Sequence, residues 1–299
     1  MNKQLILIKF PIIFPIIYGF ILYTFPSFET QLTFITILIL AETHFGATWP
    51  FFLTKSNIDW IKNDILKLIV FPVSLIIFCL LGFFFFKNLF LMIFFMANVY
   101  HVTRQSYGVC KLYCKNISEV KFQEYFIYFF NFLFFLVAFF RFYYPIIKND
   151  NILVLNLFVI GLFMIIFSIY IYKYRYSQNF LTFVTGSIIF YPTCFVSNPV
   201  HSIIMGVTMH YTQYLYLTNH IVKNRNNDEA NTSGIKKNLF SSFLSIIIIY
   251  SLIMSSLSLL GKPFDVSICI NSVNDLLGSS ISMKAVFVTK LTLALFTFG

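Results

Sequence analysis

The sequence predicts an all-α, polytopic integral membrane helix bundle of about eight to ten transmembrane helices. Two features of the chain lead there first. Hydrophobic residues fill 59% of its 299 positions and charged residues only 11%, whereas a soluble domain carries about a quarter charged residues. The apolar residues also fall into consecutive runs close to the roughly 20 residues that cross the hydrocarbon. The third observation is the placement of Lys and Arg, which is lopsided between alternate connections.

Taken in order, the expected spans are Leu5 to Phe25, Gln31 to Leu53, Ile65 to Phe86 and Asn88 to Gly108. They continue with Phe122 to Tyr144, Ile152 to Tyr172, Phe180 to Val196, Val200 to Ile221 and Leu239 to Leu260. A tenth segment, Ala285 to Gly299, has fifteen positions and no polar tail, so the chain is expected to continue past it. The break between spans three and four is a tight turn at Phe86 to Asn88. Span eight starts with Asn198 as N-cap and Pro199 at the first helical position, a combination that satisfies and preorganises a helix start. The polar stretch from Lys223 to Lys237 reads as a flexible loop. All of it, residues 1–299, reads as one transmembrane domain.

With spans alternating in direction, the N-terminus and the connections after spans two, four, six and eight hold fifteen Lys and Arg residues. The other side holds five (Lys87, Arg141, Lys148, Lys262 and Lys284), and Lys290 falls inside the last span. Cytoplasmic connections carry the excess of positive charge, which puts the N-terminus in the cytoplasm, and a bacterial inner membrane is the expected location. The formal charge of +10 is spread over short connections, so the partner is the lipid bilayer and not nucleic acid. The cysteines Cys79, Cys110, Cys114, Cys194 and Cys269 are scattered and odd in number, with no second pair to complete a zinc site. They read as packing residues.

Polar and ionisable residues inside spans are costly and mark function. Here they gather in three places: Glu42 to Trp49, Asn98 to Gly108, and His201 to His220. All five histidines lie in spans two, four and eight, which run in the same direction. His44, His101 and His210 stand about eleven to fourteen residues into their spans. At about 1.5 Å per residue, that brings three imidazoles within one helical turn of the same depth. Imidazole is the commonest metal ligand, and facing helices are where bundles build metal sites. His44, His101 and His210 are therefore candidate ligands. Their neighbours at helical spacing are candidates to orient them or to touch substrate: Thr48 for His44, Arg104 and Gln105 for His101, Gln213 and Tyr214 for His210. His201 is a further candidate ligand, although it lies about 13 Å along the helix from His210 and half a rotation away. Glu42 is another candidate, some 200° round the helix from His44. Gly46, Gly108 and Gly206 read as places of close helix approach. A histidine-only site suits non-haem Fe(II), with copper or zinc as other fits. Oxidation at the midplane suits a lipophilic small-molecule substrate. Paired-carboxylate hydrolysis and a Ser-His-Asp arrangement find no support in the sequence.

The triplet His44-Phe45-Gly46, with His101 57 positions later and His210 in a late span, resembles the Brp/Blh family of membrane β-carotene 15,15′-dioxygenases. The resemblance implies an iron-dependent membrane dioxygenase that cleaves the carotenoid to retinal, with His44, His101 and His210 binding iron. A second class stays open: a proton-coupled or small-molecule transporter that uses the His/Glu/Arg cluster as its path. A non-catalytic haem or scaffold protein is a third.

Overall fold

The computed structural model describes residues 4–48, 63–66, 70–114, 116–174, 179–233 and 243–261. Every regular element among the described residues is helical, as the composition predicts, and none is a strand. The helices are α1 (Ile13–Thr24), α2 (Glu29–Thr36), α3 (Glu42–Gly46), α4 (Phe71–Phe85), α5 (Lys87–Tyr113), α6 (Ile117–Ala138), α7 (Ile152–Tyr174), α8 (Phe180–Ile188), α9 (Pro199–Ser233) and α10 (Phe243–Gly261). Among the described residues, two helical stretches, Ile117–Tyr143 and Ile152–Tyr174, are long and apolar enough to cross a membrane. A third joins them if Ile13–Thr24 and Pro26–Gly46 count as one span.

The chain divides into two compact units. The first comprises residues 1–28 and 96–213, the second residues 29–95 and 214–299.

In the first unit, α6 is the centre. Asn116 starts it: its Oδ1 accepts from the backbone N–H of Ser118 at 3.0 Å and of Glu119 at 3.4 Å. That is N-cap chemistry, an Asn side chain satisfying two of the helix's first backbone N–H groups. It sets the helix start several residues before the expected Phe122. The buried face of α6 is aromatic. Phe126 meets Phe130 at 4.6 Å and Phe183 at 4.9 Å between ring centroids, and Tyr170 meets Phe183 at 4.5 Å. Such offset and edge contacts are worth about 0.5–1.5 kcal/mol each beyond burial. Asn131 ties α6 to α8, with Nδ2 donating to the carbonyls of Ile127 and Gly186 at 2.9 Å each. By contrast α7 exposes much of its apolar surface, including Leu153, Val154, Leu157, Phe158 and Ile165.

Helix α8 is shorter than the expected span from Phe180 to Val196. It stops at Ile188, and a 3-10 turn, Tyr191–Cys194, follows. Pro192 explains the break, because proline has no N–H to donate and disfavours helix at the residue before it. Helix α9 starts at Pro199 as expected, with Asn198 Oδ1 accepting from Val200 N–H at 2.9 Å. It corrects the other end. The helix runs through Ser233 instead of yielding to a loop at Lys223, because no Gly or Pro interrupts it before Gly234.

In the second unit α10 packs on α3. Cβ of Tyr250 would lie 3.0 Å from a Cβ built on Gly46. Ser251 Oγ also donates to the Leu38 carbonyl at 2.6 Å, within the π turn Ile37–Ala41 that joins α2 to α3. The expected break at Phe86 separates α4 from α5. The expected end of span two (residues 49–53), the tenth segment and Cys269 lie outside the described residues.

Candidate metal centre

The first unit holds the site's clearest pair. His101 sits in the middle of α5 and His210 on α9, and their imidazole rings stand perpendicular, at 86°, with centroids 6.0 Å apart. His210 is buried at 2% exposure and His101 is half-buried. The helices place them there for reasons visible in the chain. One turn before His210 comes Gly206, whose missing side chain lets α9 lie directly against the Ile189 carbonyl oxygen. Gln213, expected beside the metal, instead anchors the helix: its Nε2 donates to the Ile8 carbonyl at 2.7 Å. Gln105 follows His101 by one turn, and its Oε1 is enclosed without a hydrogen-bond partner among the described residues. Arg104 is exposed, as an interfacial arginine can be.

His201 belongs to other surroundings. Its Nδ1 shares a 2.6 Å hydrogen bond with the Tyr18 hydroxyl, and both residues are buried. It joins no group of three potential metal ligands among the described residues. His220 is exposed, with Nε2 3.3 Å from Asn224 Nδ2.

The second unit holds His44, buried at 4% exposure on α3. Its ring meets the Tyr214 ring edge-on at 4.5 Å. The Tyr214 and Thr48 hydroxyls are 3.1 Å apart, so Tyr214, expected as a neighbour of His210, stands by His44. Glu42 is buried at 2% exposure in the first turn of α3. Gly46 is a close approach, under Tyr250, whereas Gly108 is not: a Cβ there meets nothing within 4 Å among the described residues. Cys110 and Cys194 are buried, Cys79 and Cys114 partly so, and none of the four is in a disulfide, in keeping with packing roles.

Sequence reading passed over three buried polar groups. Glu119 accepts from the Tyr170 hydroxyl at 2.7 Å and from Gln123 Nε2 at 3.2 Å. The signal was there: an acid and an amide four residues apart on an apolar helix share one stripe. Arg141 is buried at 7% exposure, although the charge count set it among the cations at the less basic ends of the spans. Tyr18 gave no signal, since one tyrosine among 18 does not announce a buried partner.

No family model, curated protein or solved structure matches the chain.

Proposed function

We propose that this chain is a multi-pass protein of the bacterial inner membrane, its N-terminus cytoplasmic. In this reading His44, His101 and His210, matched in depth along their spans, hold one metal ion, Fe(II) before copper or zinc, for the oxidation of a lipophilic substrate. The observation that carries the reading is the perpendicular pair of His101 and His210, 6.0 Å between centroids. A ligating nitrogen about 2.1 Å from a metal puts its ring centroid about 3.2 Å away, so two such rings stand about 4.5–5.2 Å apart. The pair needs to close by only about 1 Å, a small rotation of two side chains, and perpendicular rings avoid each other as they do so. Two imidazoles fit the donor set of non-haem iron, copper and zinc.

The third ligand has its own support. Tyr214 meets the His44 ring edge-on at 4.5 Å within the second unit. The matched depth of the three histidines in their spans points the same way. Tyr214 then walls the His44 ring, and Thr48 fixes the Tyr214 hydroxyl. Arg104 and Gln105, on the turn after His101, are placed to orient that ring or to meet substrate. Burial of His44 and His210 keeps bulk water from the imidazoles, and Glu42 supplies a nearby buried acid on α3. The apolar surface that α7 leaves uncovered favours lipid as its solvent, because monomeric soluble proteins rarely expose apolar patches of that extent.

A redox metal held there would supply activation of O₂, the co-substrate whose two oxygen atoms would end on the two carbons of the cleaved double bond. The order of His44-Phe45-Gly46, His101 and His210 makes a carotenoid the first substrate to test, through the resemblance to the Brp/Blh family. The test is metal analysis of detergent-purified protein alongside carotenoid turnover. Iron near one per chain with retinal formed supports both parts of the reading. Iron without turnover keeps the site and removes the carotenoid. Absence of any metal from folded protein refutes the reading and favours proton-coupled transport.

A further inference from the structure

The first unit contains a buried cation that its own described residues do not neutralise. Arg141 lies on the π turn Phe139–Tyr143 that ends α6 and is 93% buried (7% exposed). Its Nη1 donates to the Thr193 carbonyl, and its guanidinium carbon lies 4.8 Å from the Phe142 ring centroid. Nη2 is enclosed without a hydrogen-bond partner among the described residues. The ionisable groups close enough to interact with its charge are Tyr23 and Cys194, a phenol and a thiol, which are not anions at pH 7. Glu119, the buried carboxylate of this unit, is engaged by Tyr170 and Gln123. Guanidinium does not lose its proton in a protein. A buried charge is ordinarily paired, since desolvation is costly without a counter-ion. A backbone carbonyl and a ring face orient the group but leave its charge in place.

The surroundings are built. The 3-10 turn Tyr191–Cys194 presents two successive buried carbonyls. Arg141 takes the one from Thr193, and Asn156 Nδ2 takes the one from Cys194 at 3.3 Å. The Oδ1 of Asn156 is likewise enclosed without a partner among the described residues. Both polar side chains are thus held by the same turn, each with one atom to spare. Tyr23, Tyr143 and Tyr144, each exposed, lie at or just past the ends of α1 and α6. In a membrane-spanning chain, exposed tyrosines at helix ends mark the level of the headgroups. Arginine's planar fork matches phosphate oxygens in paired hydrogen bonds.

We propose that Arg141 is an anion site that takes a phosphate group, with Nη2 as the donor to a phosphate oxygen. The same chemistry arises from a phospholipid headgroup or from free phosphate. The full chain is prepared with ¹⁵N-labelled arginine, stripped of lipid, and studied by solid-state NMR for contact between guanidinium nitrogen and ³¹P. One sample is reconstituted in phosphatidylglycerol bilayers and another receives inorganic phosphate in phosphorus-free detergent. Contact in the bilayer sample assigns a lipid headgroup, contact in the other assigns free phosphate, and either supports the site when Arg141→Lys abolishes it. Phospholipid retained through purification, counted by native mass spectrometry, is expected to fall about tenfold in Arg141→Gln, the loss of one charge-assisted bond. No ³¹P contact in either sample overturns the proposal. So does a contact that persists in Arg141→Lys, which would belong to another arginine. If Arg141→Gln does not fold, wild type and the lysine variant decide the matter alone.

Discussion

Replacing Gly206 with alanine sets two effects of opposite sign against each other, and the structure decides between them. Gly206 is interior to α9, where alanine is favoured over glycine by about 1 kcal/mol in helix propensity. An added Cβ, however, would overlap the Ile189 carbonyl oxygen and lie 2.9 Å from the carbonyl carbon and 3.3 Å from Pro192 Cδ. The clashing atoms are backbone and a proline ring, and neither can rotate away. Overpacking of this kind costs about 1–3 kcal/mol and more where backbone must move, so the overlap wins. Gly206→Ala is expected to lose about 2 kcal/mol net, lowering the apparent melting midpoint by about 3 °C at this chain length. Gly108→Ala is the matched control. Its Cβ meets nothing within 4 Å among the described residues, so only the propensity term acts and the variant should be as stable as wild type or slightly more so. Thermal unfolding of both in one detergent, at one scan rate because such unfolding is often irreversible, makes the comparison. Equal stability of Gly206→Ala and Gly108→Ala would refute the close approach of α9 to the segment after α8. The same shift of the α9 backbone should loosen metal binding at His210, one turn on.

Three further outcomes follow from single contacts. Tyr18→Phe removes the hydroxyl from the buried Tyr18–His201 bond and should cost about 1–2 kcal/mol of stability with metal content unchanged; loss of metal would make His201 part of the centre. Glu119→Gln puts amide hydrogens where Tyr170 and Gln123 donate and should destabilise by about 1–3 kcal/mol. That cost should shrink in a Tyr170→Phe background, and an undiminished double-mutant cost argues against the contact. Tyr214→Ala removes the ring against His44 and should weaken metal binding about 10–100-fold. Tyr214→Phe, which keeps the ring and loses the contact with Thr48, should weaken it far less, and equal effects would point to the hydroxyl instead.

Much of the helical plan was legible because it is local. Asn198-Pro199 announced the start of α9, and the run from Ile152 to Tyr172 is nearly all of α7. Apolar length alone was a poorer guide to helix ends. It missed the Asn116 cap, which lies among charged residues, and overran Pro192, where missing N–H chemistry outweighs hydrophobicity. It also ended α9 at Lys223, since polarity was taken for a loop although the stretch holds no helix breaker before Gly234. The π turns at Leu5–Lys9, Ile37–Ala41 and Phe139–Tyr143 have no compositional mark, being widenings that packing imposes on the backbone. At the site, spacing set Tyr214 beside His210, whereas its ring meets His44. Spacing could not tell that Gln213 would turn to the Ile8 carbonyl, because a side chain's choice among distant acceptors depends on tertiary structure. Nor could charge counting separate Arg141 from loop cations, since burial is not written in residue type.

The central claim, one metal ion on His44, His101 and His210, is tested most directly by metal content of the purified chain. Wild type is compared with His44→Ala, His101→Ala, His210→Ala and, as an internal control, His220→Ala. About one metal per chain is expected in wild type and His220→Ala, and a loss of roughly tenfold or more in each of the other three. Metal retained in any one of those three removes that histidine from the set, and absence of metal in folded wild type contradicts the account altogether.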